Sequence, residues 1–140
     1  LIRWYEKQGY ETFYRARKQE ISGAEAIPVT EIFSEEYARL RQEQMPDAPQ
    51  PGKALYDYFA TYGSFYKADN CIFAASRQEE TVYFQEFLGD MQKLPGIIGA
   101  MHAQSGVARV PDKDTTFAMY YPLHDSKCKP PSYFGLAFDL

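Results

Sequence analysis

The sequence predicts a mixed α+β fold, a mixed and mostly antiparallel sheet flanked by helices, and three observations carry that prediction. Aromatic side chains make up 16% of the 140 residues, with 12 Tyr and 10 Phe, and such rings suit the half-buried pleated face of a sheet. Apolar residues recur at helical spacing from about 31 to 62, after which the period falls to two. A hairpin is then followed by a strand, helix, strand crossover, which places helices on the faces of a sheet. A hydrophobic content of 45% with a mean hydropathy of −0.49 fits one globular core.

The elements follow in order. Ile2 to Gln8 can be helical, and Gly9 supplies the left-handed residue that ends a helix. "YETFYRARKQEI" sets Tyr10, Thr12 and Tyr14 against Glu11, Phe13 and Arg15, the alternation of a strand. "SGAEAIP" at 22–28 is a loop and a candidate boundary. Thr30 or Ser34 can cap a helix reaching about Gln44, with Phe33, Tyr37 and Leu40 on one side, and "PDAPQPG" at 46–52 stops it. A second helix starts near Lys53, with Leu55, Tyr58, Phe59 and Tyr62 as its apolar stripe and Gly63 as its end. "NCIFAASRQ" and "TVYFQEFLG", joined through the turn Gln78 to Glu80, form the hairpin. "KLPGIIGAMHAQSG" reads as a helix with Pro95 in its first turn and Gly106 past its end. "GVARV", "TFAMYYPL" and "YFGLAFDL" are three more strand candidates, the last two separated by the loop "HDSKCKPPS".

Charge and composition remove several classes of partner. Lys and Arg total 15 against 19 Asp and Glu, a formal charge of −4, and no basic run exceeds "RARK", so no nucleic acid is expected. No stretch approaches the roughly 18 apolar residues of a bilayer span and no signal-peptide pattern opens the chain, so a cytoplasmic protein without a membrane partner is expected. Cys71 and Cys128 are too far apart for a zinc knuckle, and although "HDSKC" brings His124 near Cys128, a site would also need His102 and Cys71 to converge. No metal is expected, only a buried Cys71 and a loop Cys128. His102, on a helix with Ile98 and Met101, and His124, in a polar loop, read as packed or surface residues.

Within "YEKQGYETFYR", Tyr5, Gly9 and Tyr10 match a Tyr-x-x-x-Gly-Phe/Tyr signature, and with the element order from residue 31 the chain resembles the GCN5-related N-acetyltransferase (GNAT) family. The resemblance implies that residues 1–22 are the last helix and strand of a truncated GNAT domain whose front is absent. Residues 29–140 would be a second, degenerate GNAT-like domain, as in tandem bacterial acetyltransferases. The chain would then be the C-terminal region of an acetyl-CoA-dependent N-acetyltransferase. The absent N-terminal half would carry out most of the acyl transfer, to a small-molecule or peptide amine.

The resemblance also names site residues. Tyr5 stands where the family places a hydroxyl that protonates the departing CoA thiolate, a general-acid role. Glu86, on the fourth-strand equivalent, is the candidate base, while Glu79 and Glu80 fall in the turn; flanked by Phe84, Phe87 and Leu88, Glu86 is expected from alternation to face solvent rather than to act as that base. The family seats the CoA pyrophosphate on a Gln/Arg-x-x-Gly-x-Gly/Ala loop, where bare backbone N–H groups meet the anion. The nearest match here runs from Lys93 to Ile98 and leaves Lys93 and Gly96 as cofactor-binding candidates. Pro95 contributes no N–H, Ile98 is branched and Asp90 is negative, so acetyl-CoA is expected as co-substrate of the intact protein and no cofactor for this chain alone. Two alternatives stay open: a non-catalytic binding or regulatory module using the aromatic sheet as a concave surface, and a dimerisation domain using Tyr and Phe of the last strands.

Overall fold

The first helix, α1 (Ile2–Lys7), ends as its sequence requires: Gly9 takes φ +97°, its N–H donates to Glu6 O at 3.0 Å, and Tyr10 N–H donates to Tyr5 O at 3.1 Å. A computed structural model describes residues 1–123, 129–131 and 133–136 of this chain. After α1 come β1 (Glu11–Ser22), β2 (Thr30–Ile32), α2 (Ser34–Gln44), α3 (Lys53–Phe59), β3 (Ser64–Ala68), β4 (Cys71–Gln78), β5 (Thr81–Leu88), a 3-10 turn at Met91–Lys93, α4 (Leu94–Ala100) and β6 (Ser105–Tyr120).

The strands form one sheet of six in the order β1-β6-β5-β4-β3-β2. Every neighbouring pair is antiparallel except β5 and β6, which the α4 crossover makes parallel. Alternation along β4 divides the core between the two faces of the sheet. Cys71, Phe73 and Ala75 pack with Leu94, Ile97 and Ile98 of α4, while Ile72 and Ala74 pack with Tyr37 of α2 and Tyr56 and Phe59 of α3. The result is a mixed α+β sheet flanked by helices, as expected.

Several expectations are corrected. Thr30 does not cap a helix: it pairs with Lys67 at the sheet edge, and β2 and β3 are strands absent from the sequence reading. In α3 the buried pair is Tyr56 and Phe59, whose rings meet Tyr37 and Phe65, while Tyr58 and Tyr62 are exposed. Residues three apart share one helical face, and Tyr58 sits off it. Helix α4 stops at Ala100 because His102 takes φ +55° and closes a Schellman motif, His102 N–H to Gly99 O at 3.0 Å and Ala103 N–H to Ile98 O at 3.2 Å. Gly106 consequently lies within β6. "GVARV" and most of "TFAMYYPL" belong to one strand of 16 residues. The charged stretch Asp112–Thr115 between them has no partner in the register of β1, since Ala16 faces Pro111 and Arg15 faces Thr116. Residues 133–136 of the last strand candidate are not in a strand, and its remainder, with His124 and Cys128, lies outside the described residues.

Candidate functional site

Strands β5 and β6 pair only from Thr81 to Tyr83 against Ser105 to Val107, and beyond that point they diverge. On its other side β5 carries a bulge: Ala74 faces Glu86 and Ala75 faces Phe84, so Gln85 is one residue too many. The extra residue reverses the alternation. Phe84 stays on the α4 face, whereas Glu86 turns to the face covered by α2 and α3. The divergence opens a cavity of about 220 Å³ whose walls include Tyr14, Gln85, Glu86, Arg109, Phe117 and Tyr133.

Glu86 is the electrostatic centre of this region. The expectation of a solvent-facing carboxylate is corrected, for Glu86 is only 3% exposed. Its Oε1 accepts from Tyr37 Oη at 2.6 Å and Arg41 Nε at 2.8 Å, and its Oε2 from Arg41 Nη2 at 3.0 Å and Tyr133 Oη at 2.9 Å. Arg41 is itself buried, and its Nη1 donates to Pro49 O at 2.7 Å and Gln50 Oε1 at 3.1 Å. Tyr37 and Arg41 stand one helical turn apart, so both reach the same carboxylate from α2. Burial, and then the charge of Glu86, push the Tyr37 and Tyr133 phenols well above their ordinary range. With two donors on each oxygen, the carboxylate is engaged as an acceptor on all sides. Across the cavity, burial lowers the Arg109 pKa, its guanidinium carbon lies 4.3 Å from the Phe117 ring centre, and burial raises the Tyr14 phenol.

No protein-family model matches this sequence, and no curated protein matches it. Solved structures do match. A GCN5-related N-acetyltransferase from Kribbella flavida superposes with a TM-score of 0.55 and 13% identity over 79% of this chain. Another from Anabaena variabilis ATCC 29413 gives 0.51 and 12% over 79%. A conserved Enterococcus faecalis V583 protein of unknown function, described as a probable N-acyltransferase, gives 0.52 and 15% over 80%. This chain has the GNAT fold. It spans only about a third of the length of those proteins, 34%, 37% and 37% respectively, and at such identities the likeness concerns architecture alone.

Within the GNAT fold the remaining candidates sit as follows. Lys93 is ion-paired with Asp69 at 2.7 Å. Gly96 faces the loop after β1: a Cβ there would lie 2.9 Å from Ile27 Cγ2 and 3.2 Å from Glu25 O, so the room beside it is filled by protein. Ala24 and Ile27 donate backbone bonds to Pro95 O and Gly96 O at 2.9 and 3.2 Å. The Asp90 carboxylate accepts from Gln92 N–H at 2.9 Å and caps the 3-10 turn. Tyr5 does not line the Glu86 cavity. It borders a shallow recess with Leu1, Ile2, Tyr10, Phe117 and Met119, its ring edge-on to Trp4 and Tyr10. Glu79 and Glu80 form the exposed hairpin turn, His102 is exposed and Cys71 is 1% exposed. Among the described residues no group of three His, Cys, Asp or Glu could hold a metal ion, and no helix is long and apolar enough to cross a membrane.

Sequence reasoning missed Arg41 and Tyr133. The available signal was Tyr37 and Arg41 at a spacing of four on the helical side that carries the apolar residues.

Proposed function

We propose that this chain is a degenerate GNAT-fold domain of an acetyl-CoA-dependent N-acyltransferase, one that supports transfer to an amine without itself seating the coenzyme's diphosphate. The observation that carries this reading is the start of the crossover after β5, where the Asp90 carboxylate already occupies the Gln92 amide. An incoming diphosphate would meet that negative charge where it needs bare N–H groups. The filled space beside Gly96 and the engagement of both Glu86 oxygens by donors point the same way. A base must have a lone pair to offer the proton it removes.

In the intact protein the acyl-transfer centre belongs to a preceding unit, to which residues 1–22 contribute the last helix and strand and Tyr5 the general acid. The pairing of β1 with β6 would then knit the two units through a shared strand. Calorimetric titration of this chain with acetyl-CoA tests the negative half of the reading: no saturable heat is expected, and a bound coenzyme with its phosphates beside Gly96 would overturn it. A thiol-release assay on the longer protein, with acetyl-CoA and a panel of amines, tests the positive half. Absence of turnover with every amine would count against it.

A second reading, dimerisation, is favoured by the exposure of Leu1, Trp4 and Tyr121 at 91%, 57% and 53%. Sedimentation over a concentration series tests it, and a persistent monomer dismisses it.

A further inference from the structure

The divergence of β5 and β6 leaves a wedge-shaped gap, and the chain itself crosses it. Tyr133 Oη donates to Glu86 Oε2 on β5 at 2.9 Å, and the Tyr133 ring lies edge-on to Tyr14 of β1 at 5.3 Å. The Phe134 ring meets Phe117 of β6 at 6.2 Å and Phe13 of β1 at 6.0 Å. Two consecutive residues therefore touch three strands. Gly135 makes the close passage feasible, because a Cβ there would lie 2.4 Å from Glu86 Oε2. Leu136, 6% exposed, is inserted among the α2 and α3 side chains.

We propose that Tyr133–Leu136 is a strap that closes the β5–β6 cleft by default, with the Tyr133 hydroxyl as its latch on Glu86, so that a ligand enters only when the strap lifts. This inference goes beyond the acyltransferase reading and does not depend on it.

Three features make the strap releasable and distinguish it from another strand of the sheet. Residues 133–136 belong to no strand, and their described anchors are side chains. Leu136 takes φ +56°, a conformation that costs a branched aliphatic residue free energy and is relieved if the segment lifts. Above all, releasing Tyr133 does not strand a charge. Glu86 keeps Arg41 on both oxygens and Tyr37 on one, and the freed phenol can pass to water. Opening therefore breaks one hydrogen bond, some ring contacts and the packing of Leu136 against the α2 and α3 side chains, while the buried ion pair that holds α2 to the sheet survives. A lifted strap bares Phe117, Tyr14 and the backbone of β5 past its bulge, a surface for a slender, mainly apolar group.

Thiol labelling tests this with two reporters. In one background Cys71→Ala, Cys128→Ser and Gln85→Cys leave a single thiol on the cleft wall, where Gln85 is 8% exposed. In the other, Cys128→Ser leaves the native Cys71, 1% exposed on the α4 side of the core, as a monitor of general loosening. Tyr133→Phe removes only the latch hydroxyl, a hydrogen bond to a charged group, and is expected to speed labelling in the cleft by about tenfold or more while leaving the Cys71 rate unchanged. Phe134→Ala, at a half-buried position outside the helical layers, is a second variant with the same expected pattern. Equal acceleration at both thiols would assign the effect to general destabilisation and overturn the strap. No acceleration in the cleft with either variant would overturn it equally.

Discussion

Replacing Arg41 by Leu removes the cation while leaving Glu86 under α2 with a full charge. Both side chains of the pair are buried, at 1% and 0% exposure, and breaking such a pair from one side costs about 3–5 kcal/mol because the surviving charge has neither water nor a counter-ion. The bonds from Nη1 to Pro49 O and Gln50 Oε1 are lost as well, which places the expectation at the upper end of that range. For a chain of 140 residues the entropy of unfolding near 60 °C is about 0.3 kcal/mol per kelvin, so Tm should fall by about 14–17 °C. The assay is a double-mutant cycle of Arg41→Leu, Glu86→Leu and the pair, by urea denaturation. The double variant should be more stable than either single one, since an apolar replacement of similar volume removes the uncompensated charge. If Arg41→Leu costs less than about 1 kcal/mol, a value typical of exposed pairs, or if the two losses simply add, the argument that this pair organises the α2 face is refuted.

Alkaline pH offers a second test. The folded-state pKa values of Tyr37 and Tyr133 are raised by burial and then by Glu86, so their contribution to stability is fully present below the ordinary tyrosine value of about 10 and is lost as pH rises beyond it. The urea midpoint should hold up to about pH 9.5 and decline above it, and Tyr37→Phe with Tyr133→Phe should flatten that decline; an unchanged slope would count against the assignment. Glycine substitutions in α4 test the loop contact: Gly99→Ala would set a Cβ 1.9 Å from Ala24 O, whereas Gly96→Ala meets the more yielding Ile27 side chain at 2.9 Å. Thermal melts should show Gly99→Ala as the more damaging, by about 1–3 kcal/mol, and the reverse order would contradict the packing described. The calorimetric and labelling experiments complete the set.

The hairpin of β4 and β5, the bodies of α2 and α3 and the glycine-terminated α1 were legible in the sequence because each depends on local periodicity and a local stop signal. What escaped depends on neighbours distant in the chain. Strand β2 has three residues and β3 five, too few for a period to declare itself, and only their pairing with β4 and each other makes them strands. The charged stretch from Asp112 to Thr115 looked like a break, and β1 carries the ladder past it. Glu86 was misjudged for a sharper reason. One bulged residue, Gln85, reverses inside and outside along β5, and no alternation rule written for a regular strand can register that. Arg41 was passed over because a charged residue on a helix usually faces water; a partner 45 positions away decides otherwise.

The long β6 has a consequence for how the molecule is made. Contacts such as that between Glu11 and Tyr120 join points 109 positions apart, so β1 cannot take its place beside β6 until synthesis has passed β6. Closing a loop of that span costs about 4 kcal/mol in chain entropy, a burden that slows folding. Throughout that interval the edge of β1 that will receive β6, with Phe13 and Tyr14 near its start, is open in the nascent chain, an invitation to chaperones and to misassociation. The charges of Arg15, Arg17, Lys18 and Glu20 that follow Tyr14 are well placed to keep this waiting strand from its neighbours' copies.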